Sequence, residues 1–200
     1  MNIKKHIPNL ITLLNLAAGL LAIIAIFKGY YDEAFIFVCL GIFFDFWDGF
    51  FARKFNVSGP LGVQLDSLAD MVTSGVVPGF VMFCMLSFGE FSTNYFLPYL
   101  GFIITLGACY RLANFNIDTR QSDSFIGLPT PANTLFIVSL PLISNSFVAS
   151  FLNNEWVLLA ITALSAYVMN AEIPLFSLKI KNFSIQKYKL QIGFLLASLI

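Results

Sequence analysis

Six long apolar stretches alternate with short polar ones along this 200-residue chain. They fall at about 7–27, 33–53, 62–88, 95–115, 131–151 and 155–178, and each comes near the roughly 20 residues a helix needs to cross a bilayer. The interruptions carry turn residues and most of the charge: Gly29 to Glu33, Ser58-Gly59-Pro60, Gly89 to Asn94, the longer Asn116 to Pro131, and Asn153-Asn154. The pattern predicts an all-α integral membrane protein, a bundle of about six transmembrane helices. No repeat, linker or low-complexity tract divides it, so residues 1–200 are expected to form one domain. Leu190 to Ile200 is apolar but too short to span, and reads as the start of a further C-terminal helix.

Composition agrees with the pattern. Hydrophobic residues make up 58% of the chain and charged residues only 11%, against about 25% charged in soluble domains. The net charge of zero hides an asymmetry. With six spans, Lys4, Lys5, Arg53, Lys54, Arg111, Arg120, Lys179, Lys181, Lys187 and Lys189 all fall on one side, and only Lys28 on the other. By the positive-inside rule that side is cytoplasmic and holds both termini. Cys39, Cys84 and Cys109 show no paired or metal-type spacing and read as small core residues. His6, beside Lys4 and Lys5, reads as a plain surface residue, and the N-terminal segment runs too directly into a full span to be read as a cleaved leader.

Four acids contradict the apolar setting. In the second span Asp45, Asp48, Gly49 and Ala52 share one helical face, while Phe46, Trp47, Phe50 and Phe51 take the others. In the third, Gly62, Asp66 and Asp70 repeat at a spacing of four, beside Ala69, Thr73 and Ser74. A short turn joins these helices, which predicts an antiparallel pair with the four carboxylates at matching depth, roughly 8–13 Å from the turn at 1.5 Å rise per residue. A carboxylate costs about 3 kcal/mol at a membrane helix centre, and mutual repulsion adds to that. The cluster therefore calls for cations, and hard oxygen ligands in two pairs suit Mg²⁺ or Mn²⁺, as a two-ion site. Pairing with Arg53 or Lys54 accounts for two acids better than for four. A cation-coupled transporter would need a polar set continuing towards the other membrane face, and the sequence shows none.

The pattern D-x-x-D-G-x-x-A-R, eight residues, then G-x-x-x-D-x-x-x-D resembles the signature of the CDP-alcohol phosphatidyltransferase family, with every fixed position matched. The resemblance implies that Asp45, Asp48, Asp66 and Asp70 hold the metals and that Asp70 is the catalytic base. It also implies that Gly49, Ala52, Arg53 and Gly62 border the cytidine nucleotide. The reaction it implies moves a phosphatidyl group from CDP-diacylglycerol to an alcohol and releases CMP, at a site near the cytoplasmic face of the cell membrane. Pro8-Asn9-Leu10-Ile11-Thr12 and Asn15 are similar to that family's first span, whose polar groups border the nucleotide.

A later stretch bears on the alcohol. Arg111, Ala113, Phe115 and Asn116, followed by Phe125, Gly127, Leu128, Pro129 and Pro131, resemble the fourth-span end and loop of the membrane-embedded phosphatidylserine synthases. This implies L-serine as acceptor, with Arg111 or Arg120 receiving its carboxylate. The sibling acceptors glycerol 3-phosphate and inositol phosphate would call for a denser basic pocket, and choline is the remaining sibling. Asn133 and Thr134 could face the cavity, but as polar residues at a helix start they are read more simply as caps. Expected partners are CDP-diacylglycerol, L-serine, membrane lipid and a second copy of the chain in a homodimer, with no nucleic acid.

Overall fold

The computed structural model describes residues 6–87, 95–118, 125–144 and 146–175. Helix α1 (Ile7–Phe27) starts with Pro8 in its first turn, where the missing N–H costs no bond, and stops at Gly29, whose φ of +79° is open to glycine. Helix α2 (Tyr31–Lys54) runs back along it. After a turn through Asn56, at φ +52°, the span Pro60–Ser87 follows as three pieces. These are α3 (Pro60–Asp70), a widened π-helical turn (Met71–Val76) and α4 (Val77–Ser87). The span Leu97–Ile117 opens as a 3₁₀ turn and continues as α5 (Ile103–Ile117). Helices α6 (Thr130–Ser139), α7 (Ser146–Leu152) and α8 (Glu155–Asn170) follow. The short bridge β1 (Phe125–Ile126) to β2 (Pro174–Leu175) ties the α5–α6 loop to the chain after α8, with Phe125 opposite Leu175.

Among the described residues four helices are long and apolar enough to cross a membrane: Ile7–Phe27, Tyr31–Lys54, Pro60–Ser87 and Leu97–Ile117. The last two expected spans are shorter than the hydropathy pattern predicts. The fifth is an apolar helix over Thr130–Leu142 that breaks at Pro141, which cannot donate to the preceding turn, and α7 is a separate element. The sixth ends at Asn170 rather than near residue 178, because Pro174 favours extended backbone ahead of it and the chain enters the bridge to β1. Residues 190–200 lie outside the described residues, as does Arg120.

Side chains sort as they do in lipid. Small and polar residues line the inside of α1, where Thr12, Asn15, Ala18, Gly19, Ala22 and Ala25 are buried. Leu10, Leu20, Phe43, Phe46, Leu106 and Trp156 face outwards. The apolar core gathers Ala22, Val38, Val77, Val81, Met82, Ile104, Ile137, Leu158 and Met169. The chain is a multi-pass membrane protein. Of the three cysteines only Cys84 is in the core; Cys39 and Cys109 are exposed on outward helix faces, which an apolar side chain can occupy equally well in lipid.

Candidate metal and substrate site

The site grows from an unequal packing of the first three helices. Helix α1 packs against both α2 and α3, whereas α2 and α3 hardly approach each other along their backbones. Expectation had these two as a close antiparallel pair; instead α1 holds them apart, and the acids fill the gap. One carboxylate oxygen from each of Asp45, Asp48 and Asp66 falls within a set whose members lie no more than 4.8 Å apart. Asp48 is buried, and Asp45 and Asp66 half-buried. Three hard oxygens drawn together against their own repulsion fit a divalent cation, which needs such ligands and cancels their charge. Asp70, one turn beyond Asp66, stands outside that triad and accepts a hydrogen bond from Asn15 Nδ2 at 3.0 Å.

Two clefts meet at these acids. The first, of about 580 Å³, is bordered by Pro8, Asn9 and Thr12 of α1, by Asp48, Gly49, Ala52 and Arg53 of α2, and by Gly62 and Asp66 of α3. All four residues expected beside the nucleotide are therefore together on one wall system. A Cβ added at Gly62 would make an ordinary contact with Asn9 Oδ1 at 3.6 Å. A Cβ on Gly49 would stand 3.3 Å from Arg53 Nη1, so the guanidinium lies across that glycine.

The second cleft, of about 740 Å³, is bordered by Asp45, Asp66, Ser67 and Asp70, by Arg111, Leu112, Phe115 and Asn116 of α5, and by Pro129, Thr130 and Pro131. Ser67 and Asn116 join α3 to α5 across it, with Asn116 Nδ2 donating to Ser67 Oγ at 2.8 Å. Arg111 is buried, and two carbonyls from distant elements fix it: Nη1 donates to Met169 O at 2.7 Å and Nη2 to Gly127 O at 3.2 Å. Gly127 has φ +74°, and any Cβ there would press on Met169 O and on the Arg111 guanidinium. Arg111 thus secures the loop before α6 as well as facing the cleft.

Polar residues that the sequence reading gave other roles hold this frame. Thr12 Oγ1 donates to Asp48 Oδ2 at 2.5 Å. Asn133 and Thr134 are not caps, because α6 begins at Thr130 with no side-chain cap, and both sit one turn inside it. Thr134 Oγ1 donates to Ser74 O at 2.9 Å, and Thr105 Oγ1 to Gly75 O at 2.9 Å. Those carbonyls belong to the π turn, and Pro78, four residues after Ser74, has no N–H to offer Ser74 O. A polar set therefore does continue past the acids, through Thr73, Ser74, Asn133 and Thr134, before Val77, Val81, Ile137 and Val138 close the bundle. Polar positions three apart, at 9, 12 and 15 of an otherwise apolar helix, were the signal for the α1 donors Thr12 and Asn15. Thr105 and Thr134, which donate to the π turn from other helices, had no local signal.

The profile of the CDP-alcohol phosphatidyltransferase family matches residues 5–171. A Bacillus subtilis protein named CDP-diacylglycerol–serine O-phosphatidyltransferase is 36% identical over 140 residues, covering 68% of this chain and 75% of that one. A Helicobacter pylori protein of the same name is 30% identical over 189 residues, covering 92% and 76%. A Methanothermobacter thermautotrophicus protein named archaetidylserine synthase is 32% identical over 147 residues, covering 70% and 61%.

Proposed function

The chain belongs to the CDP-alcohol phosphatidyltransferase family, and from that premise we propose that it transfers the phosphatidyl group of CDP-diacylglycerol to L-serine, giving phosphatidylserine and CMP. The observation that carries this reading is the meeting of two clefts at one acid set, with Asp66 on the wall of both. A reaction between two substrates needs them to arrive from different directions at one centre. The relatives' names support serine as the alcohol.

In this proposal Asp45, Asp48, Asp66 and Asp70 would hold Mg²⁺ or Mn²⁺, in a two-ion site, which would supply positive charge against the pyrophosphate and the departing CMP. The glycine-lined first cleft takes the cytidine nucleotide, with Gly49, Ala52 and Gly62 clearing space and Arg53 near its phosphates. Serine enters the second cleft, where the charge of Arg111 orients its carboxylate. Asp70 accepts the serine hydroxyl proton as that oxygen bonds to the phosphorus of the phosphatidyl group. The bond from that phosphorus to the bridging oxygen breaks, and the oxygen leaves with CMP. Diacylglycerol chains stay in lipid.

We take residues 1–200 as one domain, with both termini and the site at the cytoplasmic face of the cell membrane. The lysine and arginine distribution supports that orientation. We also propose a homodimer, which the exposed outer-face aromatics such as Phe43, Phe46 and Trp156 allow. Arg120 remains a second candidate for the acceptor carboxylate on its sequence position alone.

The test supplies purified protein with CDP-diacylglycerol, Mn²⁺ or Mg²⁺, and single alcohols, and follows CMP release. CMP is expected with serine. Release with glycerol 3-phosphate in place of serine would reassign the acceptor, and silence with every alcohol would overturn the enzyme reading.

A further inference from the structure

Asn15 does not border the nucleotide cleft, although Asn9 and Thr12 on the same face of α1 do. It lies one turn deeper, fully buried, with Nδ2 donating to Asp70 Oδ1 at 3.0 Å. Its Oδ1 has no hydrogen-bond partner among the described residues. That oxygen faces Gly41, where an added Cβ would stand 3.0 Å from it. The backbone is fixed as well, since Thr73 Oγ1 donates to Asn15 O at 3.1 Å. A residue needed only for packing at this position would be apolar, because a buried amide oxygen without a partner is destabilising. The amide turns its nitrogen towards Asp70 because a carboxylate oxygen accepts, and the side chain is confined by Gly41 and the bond to its own backbone carbonyl.

We propose that Asn15 is a positioning residue for the reaction: it pins one oxygen of Asp70 and so presents the other to the acceptor cleft that Asp70 lines. Helix α1 then serves both acid-bearing helices, Thr12 holding Asp48 of α2 and Asn15 holding Asp70 of α3. The inference rests on Asp70 being the base.

The matched pair Asn15→Ala and Asn15→Ser tests it. Both leave nearly the same space, but the serine hydroxyl can reach Asp70 through one water. Asn15→Ala is expected to lower kcat about 10–100-fold, the effect of losing one hydrogen bond to a charged group. KM for both substrates should stay within about threefold, and the thermal shift on adding CDP-diacylglycerol should not change. Asn15→Ser should recover about fivefold or more of the lost kcat. Equal kcat in the two variants, or a raised KM at full kcat, would overturn the proposal. If Asn15→Ala does not fold, Asn15→Leu, which refills the space, replaces it in the same comparison. Asp70→Asn measured alongside separates the two failures. A silent Asp70→Asn with a normal Asn15→Ala sinks the positioning role alone, whereas an active Asp70→Asn removes the base itself.

Discussion

The two clefts are built in opposite ways. The first is made by three consecutive pieces of chain, the ends of α1 and α2 and the start of α3, all within residues 8–66. The second draws on α2, α3, α5 and the loop before α6, and its arginine is fixed by carbonyls at Gly127 and Met169, 16 and 58 residues away. A site made locally leaves a spaced motif. A site made by long-range packing leaves scattered residues whose roles depend on what the fold brings to them.

The sharpest challenge to this contrast lies where the clefts join. Asp70→Asn is expected to cut turnover about 10²–10⁴-fold, the usual contribution of a general base, as read by CMP release at saturating substrates. Turnover near that of the parent protein would dissolve the idea of a shared centre. Next in size come two reciprocal substitutions. Gly49→Val should raise KM for CDP-diacylglycerol about tenfold, since overpacking costs about 1–3 kcal/mol, and leave that for serine unchanged. Arg111→Ala should raise the serine KM about 10-fold or more and that for CDP-diacylglycerol less; equal rises would make Arg111 a purely structural clamp. The smallest effect belongs to the frame. Thr134→Val removes the bond to Ser74 O and should cost about 1 kcal/mol of stability, seen as a lower thermal midpoint in detergent with little change in either KM.

Hydropathy made the all-helical bundle and its four long spans legible, and the spacing of Asp45, Asp48, Asp66 and Asp70 named the acids. The shortening of the last two spans turned on Pro141 and Pro174, whose effect competes with continuous apolar composition and was outweighed in the reading. Capping does not describe Thr134, because the carbonyl it serves, Ser74 O of the π turn, lies 60 residues upstream. Asn15 was visible as a polar residue in an apolar helix. What it touches follows only from the way α1 wedges between α2 and α3.

The π turn at Met71–Val76 has a consequence for how this chain can vary in length. A turn that is wider than α by one residue offsets everything after it by about 100° around the helix axis. Asp66 and Asp70 look into the clefts, while Val77, Val81 and Met82 look into the apolar core. Removing a single residue between 71 and 76 would leave hydropathy and span length almost untouched. It would nonetheless swing one of these two sets away from the interior. The third span thus behaves like a keyed shaft, whose fit depends on angle where its hydropathy profile records only length.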